Sequence, residues 1–194
     1  MNEHTGMYGV PSFFPTPREV VLKMLEKVTI EPGDNVIEPS AGMGHIARVI
    51  EELYLESPVY CIEKDPLLRA YLLAEGHALI WDDIFTWSGQ MLYRHAWNNG
   101  VDVIVANPPF SNNYQDIDHF CRYWELLNYG SQIVCLVHAY SAYSPSSNPA
   151  YKPNIFWNWC EKVGIRREML PANSFAFGEF ATQADIAMIW GTKR

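Results

Sequence analysis

The 194-residue chain has no stretch approaching the roughly 18 uninterrupted apolar residues of a membrane helix, which excludes a helical span. Its start, Met1 to Pro17, lacks a basic segment followed by an apolar run, so no secretory signal is expected there. Cysteine is scarce. Cys61, Cys121, Cys135 and Cys160 are far apart and form no CxxC or Cys/His spacing. Three of them fall in apolar segments, which points to reduced core thiols and a cytoplasmic protein. The six histidines show no HExxH spacing, so no metal site is expected. The phosphate loop GxxxxGK[ST] is also missing. Positive charge is the last shortage: 14 Lys and Arg stand against 22 Asp and Glu, a net charge of −8. A broad electrostatic grip on nucleic acid needs a basic face. Any such ligand would need a local basic patch, a second subunit or stacking.

What is present reads as one α/β domain over residues 1–194, with 48% apolar and 19% charged residues. Residues 1–12 are polar and read as a flexible arm. Thr16 is placed to cap a helix Pro17 to Lys27, with Pro17 first and Glu19 at the third position, a capping box. Strands are expected at Asn35–Glu38, Val59–Ile62, Ala78–Trp81, Val101–Ala106 and Gln132–Val137, with a strand beginning at Met169–Leu170 and a last one at Ile186–Trp190. Helices fall between them at Ile46–Leu55, Pro66–Glu75, Met91–Trp97, Ile117–Leu127 and Asn154–Val163. Residues 139–153, rich in Ser, Pro, Tyr and Asn, read as an irregular insertion over the edge where ligands bind.

The pattern centres on Asn107-Pro108-Pro109-Phe110. The apolar, β-branched run Val101 to Ala106 leads into it, as a buried parallel strand would. Proline cannot continue a ladder, so the chain must leave the sheet at Pro108. An amide, a carbonyl and an aromatic ring are thereby set at a strand's carboxyl end, where open α/β sheets bind ligands.

A second device lies upstream. Glu38-Pro39-Ser40-Ala41-Gly42-Met43-Gly44 joins a strand to a helix, and its glycines allow close backbone approach. Glu63 ends the next strand about 20 residues past the glycines, where a carboxylate can accept from both ribose hydroxyls. An acid at Glu38 repels phosphate and attracts an ammonium group. The loop therefore suits a cationic nucleoside better than NAD or ATP, and S-adenosylmethionine fits that description. A carboxylate at Asp82-Asp83 is placed to accept from an adenine amino group.

Taken in order, Phe14-Pro15-Thr16-Pro17, the Glu38-to-Gly44 loop, Glu63, Asp83 and Asn107-Pro108-Pro109-Phe110 resemble the N6-adenine DNA methyltransferases that use S-adenosylmethionine. The resemblance covers nearly the whole chain and implies a Rossmann-like fold, with a seven-stranded, mostly parallel sheet and an antiparallel C-terminal hairpin strand. It implies that Phe14, Thr16 and Pro17 line the methionine end of the cofactor and that Glu38 binds its ammonium group. Pro39, Ser40, Ala41, Gly42 and Gly44 form the close-approach loop, Glu63 holds the ribose, Asp83 with Ile84 receives the adenine, and Asn107 also borders the cofactor. Lys64 stands where an apolar residue usually packs on that ring.

In such enzymes Asn107 and the Pro108 carbonyl accept the two amino hydrogens of the target adenine, with Pro109 completing the turn. Phe110 stacks on a flipped-out base. The opposite wall is expected from Phe180, with Phe177 second. No separate target-recognition domain is expected, and the resemblance implies a phage or prophage setting for a member this small and acidic. The partner implied is nucleic acid, DNA first, without a membrane, and the acidic charge makes a homodimer or accessory subunit the expected source of further contacts. The Asn-Pro-Pro-Phe geometry is shared with RNA adenine and protein-glutamine methyltransferases, and a non-catalytic methyltransferase-like subunit is the third reading.

Overall fold

The computed structural model describes residues 15–88, 100–110, 113–143, 146–175 and 185–194. The strands are β1 (Val36–Glu38), β2 (Val59–Ile62), β3 (Ala78–Trp81), β4 (Val103–Ala106), β5 (Gln132–His138), β6 (Arg166–Met169) and β7 (Ile186–Thr192). They form one seven-stranded sheet in the order β3-β2-β1-β4-β5-β7-β6. The β1–β2, β2–β3, β1–β4 and β4–β5 pairs are parallel, whereas β7 runs antiparallel to both β5 and β6. The helices are α1 (Arg18–Leu25), α2 (His45–Leu53), α3 (Pro66–Ala74), α4 (Gln115–Leu126), α5 (Ala139–Tyr143) and α6 (Lys152–Lys162).

Alternate strand residues feed two cores. Val36, Cys61, Val103, Val105, Val134 and Leu136 pack with Val21, Met24, Ile46, Ile50 and Leu72 from α1, α2 and α3. Ile37, Ile104, Ala106, Ile133 and Cys135 pack on the other face with Phe120, Trp124 and Phe156 from α4 and α6. Strands buried on both faces explain the near-continuous apolar runs of β4 and β5. The sheet order reverses between β1 and β4, so a crevice opens beyond their carboxyl ends. The Glu38 loop and Asn107 both leave the sheet there. Among the described residues, no helix is long and apolar enough to cross a membrane.

Several elements depart from expectation. Thr16 does not cap α1. Pro17 is the N-cap residue, and no side chain closes that end; Thr16 turns toward Asn107 instead. Residues 139–143 are helical, so the 139–153 segment is not irregular throughout, and α6 begins at Lys152 with Pro153 in its first turn. The strand expected to begin at Met169 ends there. Arg166-Arg167-Glu168-Met169 is a polar edge strand, bonded on one side only, so no apolar alternation marks it. Arg167 fixes this edge: its guanidinium lies 4.4 Å from the Tyr143 ring and 3.8 Å from the Trp157 ring and donates to the Ala142 carbonyl. The helix expected at Met91–Trp97 and the arm 1–12 lie outside the described residues.

Candidate active site

The crevice is a cleft of about 470 Å³. It is lined by Thr16, Glu38, Pro39, Ser40, Ala41, Gly42, Glu63, Lys64, Asp83, Ile84, Asn107, Pro108, Pro109 and Phe110, among others. Residues from five separated segments thus converge on one cavity. Phe14, Phe177 and Phe180 lie outside the described residues.

The glycine loop is held by backbone and carboxylate together. Ala41 N–H donates to the Ile62 carbonyl at 3.0 Å, and Gly44 N–H closes a turn on the Ala41 carbonyl at 2.8 Å. Gly42 has φ of 57°, which the missing Cβ permits. Its N–H donates to Glu63 Oε2 at 2.7 Å, while Asp65 N–H donates to Glu63 Oε1 at 2.7 Å. Glu63 therefore clamps the loop to the end of β2, and ribose hydroxyls would compete with backbone for it. Burial pushes its carboxyl above the ordinary range, against these N–H donors.

Gly44 does not line the cleft. It is the left-handed N-cap of α2, and a Cβ there would stand 2.6 Å from His77 Nε2 and 3.0 Å from Leu72 Cδ2. Packing against α3 and His77, not ligand approach, is what demands glycine. Pro17 likewise sits at the head of α1 and not in the cavity lining.

Glu38 is 2% exposed, and its Oε2 accepts from Ala47 N–H at 2.7 Å in the first turn of α2. Burial raises its pKa well above the ordinary value, opposed by the Ala47 N–H and reinforced by the charges of Glu63 and Glu51. A carboxyl raised in the folded state favours folding at low pH, and that contribution is lost as pH rises through the folded value. Glu38→Gln is therefore expected to gain thermal stability over the native protein as pH rises from the ordinary carboxylate range toward neutrality. Melting temperatures across that range check this; a constant difference would mean that Glu38 is not held in its raised state.

At the end of β3, Asp83 heads a turn. Its carbonyl accepts from Trp87 N–H at 3.0 Å and its Oδ1 from Phe85 N–H at 3.0 Å. Its Oδ2 lies 2.8 Å from Lys64 Nζ. Burial raises the Asp83 carboxyl, but the Lys64 ammonium, the Phe85 N–H and the field of His119 outweigh it, leaving a value below the ordinary one. Lys64 does not pack its stem as an apolar neighbour would; it is 80% exposed and ion-paired. An exposed pair of this kind is weak. Lys64→Met is expected to change affinity for S-adenosylmethionine, the ligand the sequence leads one to expect, by no more than about threefold and to remove most of its dependence on salt. Calorimetric titrations at two ionic strengths check this.

Asn107 follows β4 directly. Its Nδ2 donates to Thr16 Oγ1 at 2.9 Å, and Thr16 is 5% exposed. The contact joins residues 91 positions apart and fixes which way the amide faces. Pro108 and Pro109 bring carbonyls without N–H groups, and Phe110 is half-buried against the first core. An amide oxygen and the carbonyl of the next residue, both in the lining of one cleft, are acceptors of the kind an –NH₂ group requires.

Sequence reasoning missed the contribution of α4. His119 also lines the cleft, and its Nδ1 lies 2.9 Å from Tyr123 Oη, which in turn lies 2.7 Å from Ser40 Oγ. The helical spacing of Asp116, His119 and Tyr123, polar groups buried on one face, was the available signal.

No protein-family model and no curated protein sequence matches the chain. Solved structures are similar in fold. TrmN from Thermus thermophilus superposes with a TM-score of 0.56 at 20% identity, over 90% of this chain and 48% of that one. A TehB-like SAM-dependent methyltransferase from Corynebacterium glutamicum gives 0.54 at 13% identity, over 90% and 87%. Phosphoethanolamine N-methyltransferase 2 of Haemonchus contortus, solved with S-adenosyl-L-methionine, gives 0.62 at 10% identity, over 94% and 54%. The chain thus spans about half the length of the TrmN and phosphoethanolamine enzymes. The fold is the Rossmann-like fold of these methyltransferases.

Proposed function

We propose that the chain is an S-adenosylmethionine-dependent methyltransferase acting on the N6 amino group of adenine in DNA. The observation that carries this reading is the Asn107–Thr16 hydrogen bond, which commits the amide nitrogen and so assigns the acceptor role to Asn107 Oδ1; with the Pro108 carbonyl it would form the acceptor pair. The cleft also fits the cofactor by its chemistry: the acids Glu38, Glu63 and Asp83 line it, two of them with raised pKa values that an ammonium or hydroxyl ligand would relieve. S-adenosylmethionine supplies a methyl group activated by its sulfonium.

The chain's own residues then act by position and electrostatics. An adenine amino lone pair is delocalised into the ring and is a poor nucleophile. Acceptance of one hydrogen by Asn107 Oδ1 and the other by the Pro108 carbonyl favours a pyramidal nitrogen with its lone pair directed out of the ring plane. The two acceptors also stabilise the positive charge that develops there. Phe110 offers a face on which an extruded base can stack. With a net charge of −8, further grip on the polymer would come from a second copy or an accessory subunit.

Labelled cofactor incubated with DNA, RNA and cell protein tests the reading, with hydrolysis of each product. Label recovered as N6-methyladenine from DNA is the expected result. Label confined to RNA adenine or to protein glutamine would assign the same amide geometry to a different polymer.

A further inference from the structure

His119 is the buried polar group of the cleft that the amide and glycine-loop chemistry leaves without a role. It lies in the second turn of α4 and is 8% exposed. Two contacts of its own and the anchoring of its helix by Arg122 fix its place. Its Nδ1 is 2.9 Å from Tyr123 Oη. Its ring stands edge-on to Phe85 with centroids 4.8 Å apart. Arg122, one residue before Tyr123, donates from Nε to the Ile84 carbonyl at 3.1 Å and also reaches the Trp87 carbonyl, locking α4 against the Asp83 turn. Nε2 makes no hydrogen bond among the described residues. The ring is thus held firmly at the cavity wall, and His119 Nε2 is not among the fully buried polar atoms of the described residues, so a ligand in the cleft can reach it.

The hydrogen-bond chain offers that nitrogen in either of two states. Tyr123 Oη sits between His119 Nδ1 and Ser40 Oγ, 2.7 Å from the latter. When Tyr123 donates to Nδ1, Ser40 donates to Tyr123, and the imidazole carries its proton on Nε2. When the chain runs the other way, Nε2 is an acceptor. The first direction uses both hydroxyl hydrogens within the chain, whereas the second needs a further acceptor for the Ser40 hydroxyl, so the chain itself favours the proton on Nε2. Burial pushes the imidazole down to about 4, so it is neutral at ordinary pH, with one donor and one acceptor. Asp83 beside it is already an acceptor. A purine that gives its amino hydrogen to Asp83 is left with ring nitrogens that need a donor.

The geometry points to His119 as a specificity residue that reads the cofactor's nucleobase, its Nε2–H donating to a ring nitrogen while Tyr123 and Ser40 hold the tautomer. The same chain ties the nucleobase end of the cleft to the glycine loop, because Ser40 belongs to that loop. The inference rests on the reading of the cleft as an S-adenosylmethionine site.

Calorimetry with S-adenosylhomocysteine and its 1-deaza, 3-deaza and 7-deaza analogues tests it on the native protein and on His119→Phe. At least one analogue is expected to bind the native protein about tenfold more weakly than the parent. That penalty should vanish in His119→Phe, whose melting curve reports its folding. Should the Phe variant fail to fold, Tyr123→Phe and nitrogen-15 NMR of the native protein carry the test. His119 in the complex should show protonated Nε2 and unprotonated Nδ1, a preference that Tyr123→Phe weakens. An unchanged pattern of discrimination in His119→Phe, or protonated Nδ1 in the complex, would overturn the assignment. Absence of any S-adenosylhomocysteine binding to the native protein would instead overturn the cofactor reading beneath it.

Discussion

Asn107→Ala is expected to lower methyl transfer by about two to three orders of magnitude, the effect of deleting one oriented group that stabilises developing charge. Cofactor affinity should stay within a few-fold, because the acids that would hold the cofactor come from other segments, Glu38, Glu63 and Asp83. The two readouts separate because the amide's structural partner is Thr16, from the chain before α1, and not the glycine loop. Thr16 gives an internal control. Thr16→Ser keeps the acceptor for Asn107 Nδ2 and should keep activity, whereas Thr16→Val removes it and lets the amide populate both orientations. Val is expected to cost transfer but less than Asn107→Ala does. Initial rates with saturating cofactor, beside calorimetric cofactor titrations, check the series. Loss of cofactor binding in Asn107→Ala would mean that the amide belongs to the cofactor's pocket and not to the acceptor amine's.

Gly44→Ala is expected to destabilise the fold by about 2–5 kcal/mol, from two sources. A left-handed residue with a Cβ costs roughly 1–2 kcal/mol, and forcing a methyl into a packed contact costs about 1–3 more. The contact is severe. The new Cβ would stand 2.6 Å from His77 Nε2 and 2.8 Å from its Cδ2. His77 cannot simply swing aside, because its Nδ1 is 3.1 Å from Glu51 Oε1 across α2 and the ring is buried. A double-mutant cycle isolates the clash. In a His77→Ala background the same substitution should cost only the backbone share, about 1–2 kcal/mol. Chemical denaturation of the four proteins provides the numbers, and an equal cost in both backgrounds would show that His77 is not what requires the glycine.

These two residues also mark how far the sequence could be read. Asn107 stands in a local motif: an apolar run stopped by two prolines needs no partner to be seen, and its place at the carboxyl end of β4 followed from the chain alone. The Glu38 loop was legible for the same reason, as were the buried strands β1, β2, β4 and β5. Gly44 was legible as a glycine that must be one, but the reason lies in His77, which follows α3 more than thirty residues later and which no local pattern reveals. Thr16 satisfies every rule for a helix cap, yet its hydroxyl is taken by an amide 91 residues away. There a tertiary hydrogen bond replaced a local one. β6 was displaced because an edge strand bonded on one side has no need of apolar alternation. His119 and Tyr123 were passed over because Phe120 and Trp124 on the same helix gave a sufficient account of its buried face.

Asn107 and Pro108 are proposed to position the amino group of adenine in DNA. Sequencing that detects modified bases, applied to DNA from cells expressing the native protein or Asn107→Ala, tests that role most directly. N6-methyladenine should accumulate with the native protein and be strongly reduced with the variant. Unmodified adenine in both samples, with the native protein present and bound to cofactor, would contradict the claim.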